Sequence, residues 1–475
     1  MRAGYGGSGR ERSFGADGDR PMEEPTVMQG LRSEGTLIDA LRPHLLPLSG
    51  GASDHDALLG MIGNARFALL GEASHGTAEF YRERIRITRR LITERGFTAV
   101  VVEADWPDAW RVNRYVRGRS DDPDAVSALS GFQRFPAWMW RNTEVRDFIE
   151  WLREFNRGRP LARQVGFYGM DLYSLYGSIQ VVLQYLDRVD PDQARKARAR
   201  YACFDHADQD SQSYGYGASH GLSPSCEDEA VQQLRDMNRL VATTPPGAGG
   251  ADNDELFFAQ QNARLVRNAE EYYRTMFRGR VSSWNLRDSH MLETVQALDR
   301  HLGATGAPSR MALWAHNSHL GDASATQMGE LGEWNVGQLM RDRYAADAVL
   351  VGFSTHRGWV TAANDWDEPA QRKRVRDGLP GSWEDAFHCV GMDGFMLPLR
   401  GNEALRPVAN KRRLQRAIGV IYRPETERQS HYFDTRLADQ FDAMIHIDET
   451  HALEPLDPEG AWTGIEAPET FPSGV

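Results

Sequence analysis

Short apolar runs recur along the chain, each flanked by polar residues or glycine. They are FALLG (67–71), TAVVVE (98–103), VGFYGMD (165–171), MALWAH (311–316), AVLVGFS (348–354), IGVIY (418–422) and AMIHI (443–447). Runs this short and this uniformly apolar predict strands buried on both faces. Between them lie longer stretches, among them AEFYRERIRITRRLITERG and NTEVRDFIEWLREFNRG, whose apolar positions recur every three or four residues. That spacing marks helices with one buried face. The alternation of the two patterns predicts an α/β fold with a central, mostly parallel sheet layered by helices.

One interval breaks the alternation. From about Tyr173 to Arg287 only helical segments such as DEAVQQLRDMNRLV and ELFFAQQNARLVRNAEEYYRTMF are visible, joined by a polar loop and the link TTPPGAGGADND. This predicts a helical insertion over about 173–287 that forms a lid on the sheet. Residues 1–30 are rich in glycine and charge and have no apolar signal-peptide core, so they read as a disordered leader. Near Leu31, LIDALRPHLLPL begins a helix-like pattern, and residues 31–475 are expected to form one α/β domain carrying the insertion.

Composition narrows the partners. A formal charge of −12 argues against nucleic acid or an anionic membrane, both of which need a basic face. No apolar run approaches the ~18 residues of a membrane span, and with no secretion signal the cytoplasm is the expected location. Cys203, Cys226 and Cys389 are too few for a disulfide framework and contain no C-x-x-C pair. A Cys203–Cys226 bridge is conceivable; free buried thiols are the expected state.

The chemistry is suggested by where the strands end. FALLG runs into Glu72-Ala73-Ser74-His75-Gly76, TAVVVE closes on Glu103, and MALWA leads into His316-Asn317-Ser318-His319. Ligands of open α/β sheets bind beyond the carboxyl ends of parallel strands, so separate strands deliver two carboxylates and three imidazoles to one rim. Each piece alone has a plain structural reading: a helix cap at Ser74 or Thr77, an anchoring Glu103, a pair of satisfied histidines. Grouped at one rim they are unfavourable unless they pair with each other or with a substrate. Asp171 borders the same rim or caps a helix. Arg287 and Asp288 read as a structural ion pair beneath the site. The aromatic cluster Trp106, Trp110, Phe132, Phe135, Trp138 and Trp140 offers wall material for a wide pocket, or stacking platforms for sugar rings. No G-x-S-x-G, H-E-x-x-H or P-loop motif is present, which disfavours a serine hydrolase elbow, a zincin and a nucleotide hydrolase. His206, His220, His431 and His446 fall into no pattern.

The runs LLGEASHGTAEFYRERIRITRRL, VVVEADWPDAWRVNRYVRG, WNLRDSHM and WAHNSHLG resemble the erythromycin esterase family, as do VGFSTHRGWVTA and SHYFDTRLADQFDAMIHID in the same order. The resemblance spans residues 60–455. It implies an α/β core with a helical lid and water-based ester hydrolysis with no cofactor and no metal, on a small-molecule ester or lactone. The family's active-site set falls on Glu72, His75, Arg84, Glu103, His316 and His319. In that reading His75 is the general base on water, oriented by Glu72 or Glu103. Arg84 pairs with one of the glutamates, and His316 or His319 polarises the ester carbonyl or protonates the leaving alkoxide. A macrolide-type lactone is the expected substrate. A metal-dependent hydrolase using the same histidines and glutamates, and an esterase or accessory protein of exopolysaccharide (succinoglycan) biosynthesis, are the alternatives.

Overall fold

The structure is a computed structural model that describes residues 35–457, apart from 208, 245–249, 305, 307 and 367. The leader expected over residues 1–30 lies outside the described residues. Residues 35–41 are helical, in keeping with the pattern that begins near Leu31.

The strands are β1 (Leu46–Pro47), β2 (Phe67–Leu70), β3 (Ala99–Asp105), β4 (Gly166–Asp171), β5 (Met311–Trp314), β6 (Ala348–Ala362), β7 (Gln371–Val375), β8 (Gly394–Pro398), β9 (Arg413–Arg416), β10 (Tyr432–Thr435) and β11 (Ala443–Thr450). The main sheet runs β1-β8-β11-β6-β2-β5-β3-β4, with β7 paired to the far end of β6, and β9 and β10 form a separate ribbon. From β11 to β4 every neighbouring pair is parallel, while β8, β1 and β7 pair antiparallel. Both faces of this sheet are covered, as the uniformly apolar runs require. Phe67, Leu69, Val101 and Leu313 pack into one core layer, and Ala68, Leu70, Val100, Val102 and Trp314 into the other.

Two structural features follow from the chain's route. Helices α1 (Ala78–Arg95), α2 (Trp106–Val116) and α3 (Thr143–Asn156) follow β2 and β3. The α1 helix buries Phe80, Tyr81, Arg84, Ile87, Thr88 and Leu91, the three-four spacing read in its sequence, and ends at Gly96, whose φ of +66° suits the left-handed cap. Among the described residues, six α-helices follow β4 before the next strand: α4 (Leu175–Val189), α5 (Pro191–Tyr201), α6 (Ser211–Ser219), α7 (Glu227–Thr243), α8 (Gly250–Thr275) and α9 (Arg280–Gly303). Only then does β5 enter the sheet, between β2 and β3. The segment without strands among the described residues is thus longer than 173–287, reaching into residue 303. Its last helix is also a core layer: Met291, Val295 and Leu298 of α9 share a core with Phe67 and Val101.

The sequence expectations need two further corrections. IGVIY is not a strand: Ile418 and Ile421 make single bridges to Ser74 and Ala363. A short apolar run cannot by itself distinguish a ladder strand from a buried connection. Cys203 and Cys226 are disulfide-bonded rather than free thiols, with Cα atoms 5.8 Å apart, inside the span such a bond allows. The cysteines therefore lend no support to a reducing compartment. No helix among the described residues is long and apolar enough to cross a membrane.

Candidate active site

The register fixes the height of the site. Leu70, Trp314 and Val102 pair across β2, β5 and β3, so Glu72, His316 and Glu103 emerge side by side at the carboxyl ends of three adjacent strands. Backbone and side-chain bonds lock this rim. The Asn317 N–H donates to the Glu72 carbonyl at 2.8 Å, and the His316 N–H donates to Glu103 Oε2 at 2.8 Å. The turn after Glu72 admits only glycine at position 76, because a Cβ there would sit 1.8 Å from the Thr361 carbonyl oxygen. The hydroxyls of Ser74 and Thr77 bond each other.

One half of the site is local. His75 Nδ1 lies 2.9 Å from Glu72 Oε1, and Arg84 donates to Glu72 Oε2 at 2.5 Å. Both partners come from the same strand-to-helix turn, with Arg84 fully buried on α1 over the rings of Tyr81 and Trp314. His75 and Arg84 thus both point at Glu72, and a neutral His75 that donates from Nδ1 to this carboxylate keeps its lone pair on Nε2. The ring of His75 stands 4.9 Å from that of His316.

His316 holds the complementary tautomer. Its Nδ1 caps the short helix α10 (Asn317–Leu320), accepting from the Ser318 N–H at 3.2 Å with the Ser318 hydroxyl at 2.8 Å. The proton must then sit on Nε2, which is buried and has no hydrogen-bond partner among the described residues. The Ala73 carbonyl is near enough to favour the protonated ring but is not in bonding geometry. Burial, and next His75, push the His316 pKa down to about 3, so this ring stays neutral.

The other half is assembled over long range. Glu103 Oε1 accepts from Arg287 Nη2 at 2.9 Å and faces His319 Nε2 at 3.3 Å. Arg287 also donates to both oxygens of Asp171, at 3.0 and 2.6 Å. Both oxygens of Asp288 lie 3.0 Å from His319 Nδ1, and the Val336 N–H donates to Asp288 Oδ1. Trp284 stacks on His319 with ring centroids 4.5 Å apart and planes within 8°. Burial pushes the His319 pKa down, but the Asp288 and Glu103 carboxylates outweigh it and raise it to about 10. Burial would raise Glu103, yet His319, then His75 and Arg287, hold it well below the usual carboxylate range. Both groups are charged at neutral pH, with each ring nitrogen of His319 already facing a carboxylate.

All six residues expected from the sequence thus converge at this rim. Arg84 meets Glu72, which also lies against His75 Nδ1. Both residues of the expected Arg287–Asp288 pair reach into the site: Arg287 to Glu103 and Asp171, Asp288 to His319. Trp284, two turns earlier on α9 than Met291, carried no readable signal. The aromatic cluster divides. Phe132, Phe135 and Trp140 line a cavity of about 50 Å³ with Glu103, Asp171 and Arg287. Trp106 and Trp110 instead stack into the core, Trp110 lying 4.6 Å from Phe258 with nearly parallel rings. His446, without a pattern in the sequence, contacts Ser354 and Asp448 away from this set. As to a metal or cofactor, no group of three or more His, Cys, Asp or Glu among the described residues is disposed to hold an ion. The donors at this rim are turned to one another and to arginines.

Comparison with known proteins gives concordant matches. The erythromycin esterase family model matches residues 92–450. That span includes Glu103, His316 and His319, while Glu72, His75 and Arg84 precede it. Erythromycin esterase type II of Escherichia coli is 23% identical over 319 residues, 65% of this chain and 73% of that protein. Erythromycin esterase type I of Escherichia coli is 21% identical over 424 residues, 86% of this chain and 96% of that protein. Among solved structures, a succinoglycan biosynthesis protein aligns with a TM-score of 0.69 at 21% identity, covering 89% of this chain and 98% of that one.

Proposed function

Since the chain belongs to the erythromycin esterase family, we propose that it is a carboxylic ester hydrolase that opens a macrolide-type lactone by attack of water activated at His75, without a metal. The observation that carries this reading is the pair of opposed contacts, Glu72 on His75 Nδ1 and the Ser318 N–H on His316 Nδ1; we assign from them a lone pair to His75 Nε2 and an N–H to His316 Nε2. His75 Nε2 takes a proton from water as the water oxygen bonds to the ester carbonyl carbon. The carbonyl oxygen, now an oxyanion, accepts from His316 Nε2–H. The C–O bond to the alcohol then breaks, and the His75 imidazolium returns its proton to the departing alkoxide. A neutral His316 is suited to donating a hydrogen bond and not to giving up its proton. Acid and alcohol result, joined in one chain when the substrate is a lactone.

Glu72 acts on His75 as a positioning residue, held in turn by Arg84. His319 and Glu103 are a fixed charge pair that orients the His316 backbone. The helices α4–α9 are assigned to cover the rim. A second reading, hydrolysis of acyl groups on a saccharide, is motivated by the name of the succinoglycan-related structure and by the aromatic walls, which suit sugar rings as well as apolar lactones. The test is incubation with a macrolide panel, simple aryl esters and acylated saccharides, with product masses. A macrolide that gains the mass of one water supports lactone opening. Macrolides left intact beside deacylated saccharides would replace the first reading with the second. Activity that disappears on chelation and returns with added metal would sink the metal-free chemistry.

A further inference from the structure

A second polar surface lies where β6 ends and β7 begins. A groove of about 660 Å³ is bounded there by β7, Asn364 and residues 422–425, and its charged lining is Lys373, Arg374, Arg376, Arg423, Asp377 and Glu425. Those six side chains carry four positive charges and two negative ones, on a chain whose formal charge is −12.

Cationic side chains on an edge strand ordinarily do no more than discourage pairing with another chain. Arg372 fits that role: it lies over the exposed Trp359 ring, 4.8 residues' worth of reach aside from the groove lining, with 4.6 Å to the ring centroid. Lys373, Arg376 and Arg423 are held differently. Lys373 Nζ donates to the carbonyls of Ala363 and Tyr422 at 2.8 and 2.5 Å, Arg376 Nη1 to the Pro424 carbonyl at 2.9 Å, and Arg423 Nε to the Asn364 carbonyl at 2.9 Å. That backbone is itself tied together, the Ala363 N–H donating to the Val420 carbonyl and the Tyr422 N–H to the Ala363 carbonyl. Main-chain carbonyls thus orient three cations without neutralising them. Among the described residues only Arg423 of the three has an ion pair, with the exposed Asp365 at 2.9 Å. Burial lowers the Lys373 pKa; Glu425 and Glu368 offset this only in part, and Arg423 acts in the same direction as burial.

After these bonds each cation keeps N–H groups to offer: one on Lys373, the rest of the Arg376 guanidinium, and Nη1 of Arg423. We propose that the groove binds a phosphoryl group, free or carried by a small-molecule ester, with Lys373, Arg376 and Arg423 each donating to one of its oxygens. A phosphoryl dianion matches the charge balance of the lining and brings three acceptor oxygens to three fixed donors. A carboxylate brings one charge and two oxygens, fewer than the groove offers. The volume lies within the ~300–1,000 Å³ of small-molecule pockets, so the remainder of an organic phosphate fits beside the anion.

Isothermal titration calorimetry of the full chain at ~0.05 M ionic strength, where screening is weak, tests this with inorganic phosphate, glucose 1-phosphate and uncharged glucose. Wild type is expected to bind both phosphates and not glucose. Tighter binding of glucose 1-phosphate identifies an ester as the occupant; inorganic phosphate bound at least as tightly identifies the free ion. Lys373→Met and Arg376→Gln should each weaken phosphate binding at least ~10-fold, the worth of one charge-assisted hydrogen bond. Arg372→Gln, on the same strand, should stay within ~3-fold of wild type, as befits a charge that makes no contact. Circular dichroism checks that each variant is folded, and the exposed Arg376 decides alone where Lys373→Met does not fold. Folded wild type that binds neither phosphate, or equal losses in Arg372→Gln and Arg376→Gln, overturns the site.

Discussion

Glu72 and Glu103 leave strands that flank the same neighbour, β5, yet they serve opposite ends. Glu72 meets a histidine three residues away and an arginine twelve residues away, all within one strand-turn-helix unit. That arm is built from neighbours in sequence. Glu103 meets Arg287, 184 residues away, and the backbone of His316, 213 residues away. That arm is saturated: both oxygens of Glu103 and both nitrogens of His319 are engaged. Two identical side chains at matched heights on one sheet thus sit in different surroundings, one among neighbours in sequence and one held by distant segments; in the proposed mechanism the first supports the base and the second is a structural anion.

This contrast can be broken most sharply at His75. If the local arm carries the chemistry, His75→Asn lowers kcat by ~10²–10⁴ on a verified substrate while thermal unfolding stays near wild type. A folded variant that keeps a tenth of the wild-type kcat would move the base elsewhere. The long-range arm should answer oppositely. Arg287→Met leaves Glu103 and Asp171 buried without their cation and is expected to lower stability by about 3–5 kcal/mol, read by denaturant unfolding. A stable but inactive Arg287→Met protein would put Arg287 in the chemistry and erase the distinction.

A pH series sharpens it further. His319 is protonated in the folded protein up to about 10, and in the unfolded chain only below ~6.5. Folding takes up a proton between those values. The stabilisation is therefore fully present below ~6.5 and is lost as pH rises through about 10. Asp288→Asn should accordingly lower stability most near pH 6, with the gap to wild type narrowing toward pH 10. A gap that widens with pH would contradict a charged His319. The smallest effect is expected at Ser318→Ala. It removes the hydroxyl from His316 Nδ1 and keeps the N–H that sets the tautomer, so kcat should fall by no more than ~10-fold, the worth of one hydrogen bond.

The same division explains what was legible in the chain. Six of the seven apolar runs became sheet strands because burial on both faces leaves an uninterrupted apolar run, a pattern that the buried connection IGVIY shares. β7, with QRKRV mostly exposed on an edge, and the two-residue β1 leave none. The Glu72–His75 arm was readable because its members sit at a strand end within a few residues of one another. Arg287 and Asp288 were visible as a charged pair inside an amphipathic helix, but adjacency in sequence suggested that they face each other. Successive helix positions point about 100° apart, and here each reaches a different group. Trp284 looked like any core aromatic, and only the placement of β5 between β2 and β3 brings it over an imidazole. The disulfide was missed because cysteine counting weighs numbers and compartment, while the helical segment brings Cys203 and Cys226 together by packing.

The place of β5 in the sheet also bears on how the protein is made. β2 and β3 are synthesised early, but the strand that joins them arrives only after α2, α3, β4 and the helices α4–α9, and no direct ladder links the two. A ribosome that has finished the first two hundred residues has therefore made two apolar strands whose facing edges are both unpaired, the kind of surface that invites pairing with another chain. Productive folding has to keep that slot open until Met311–Trp314 emerges. Such non-local closure is slow. Because His316 and His319 directly follow that strand, no chain synthesised short of residue 319 can hold the complete set of site residues.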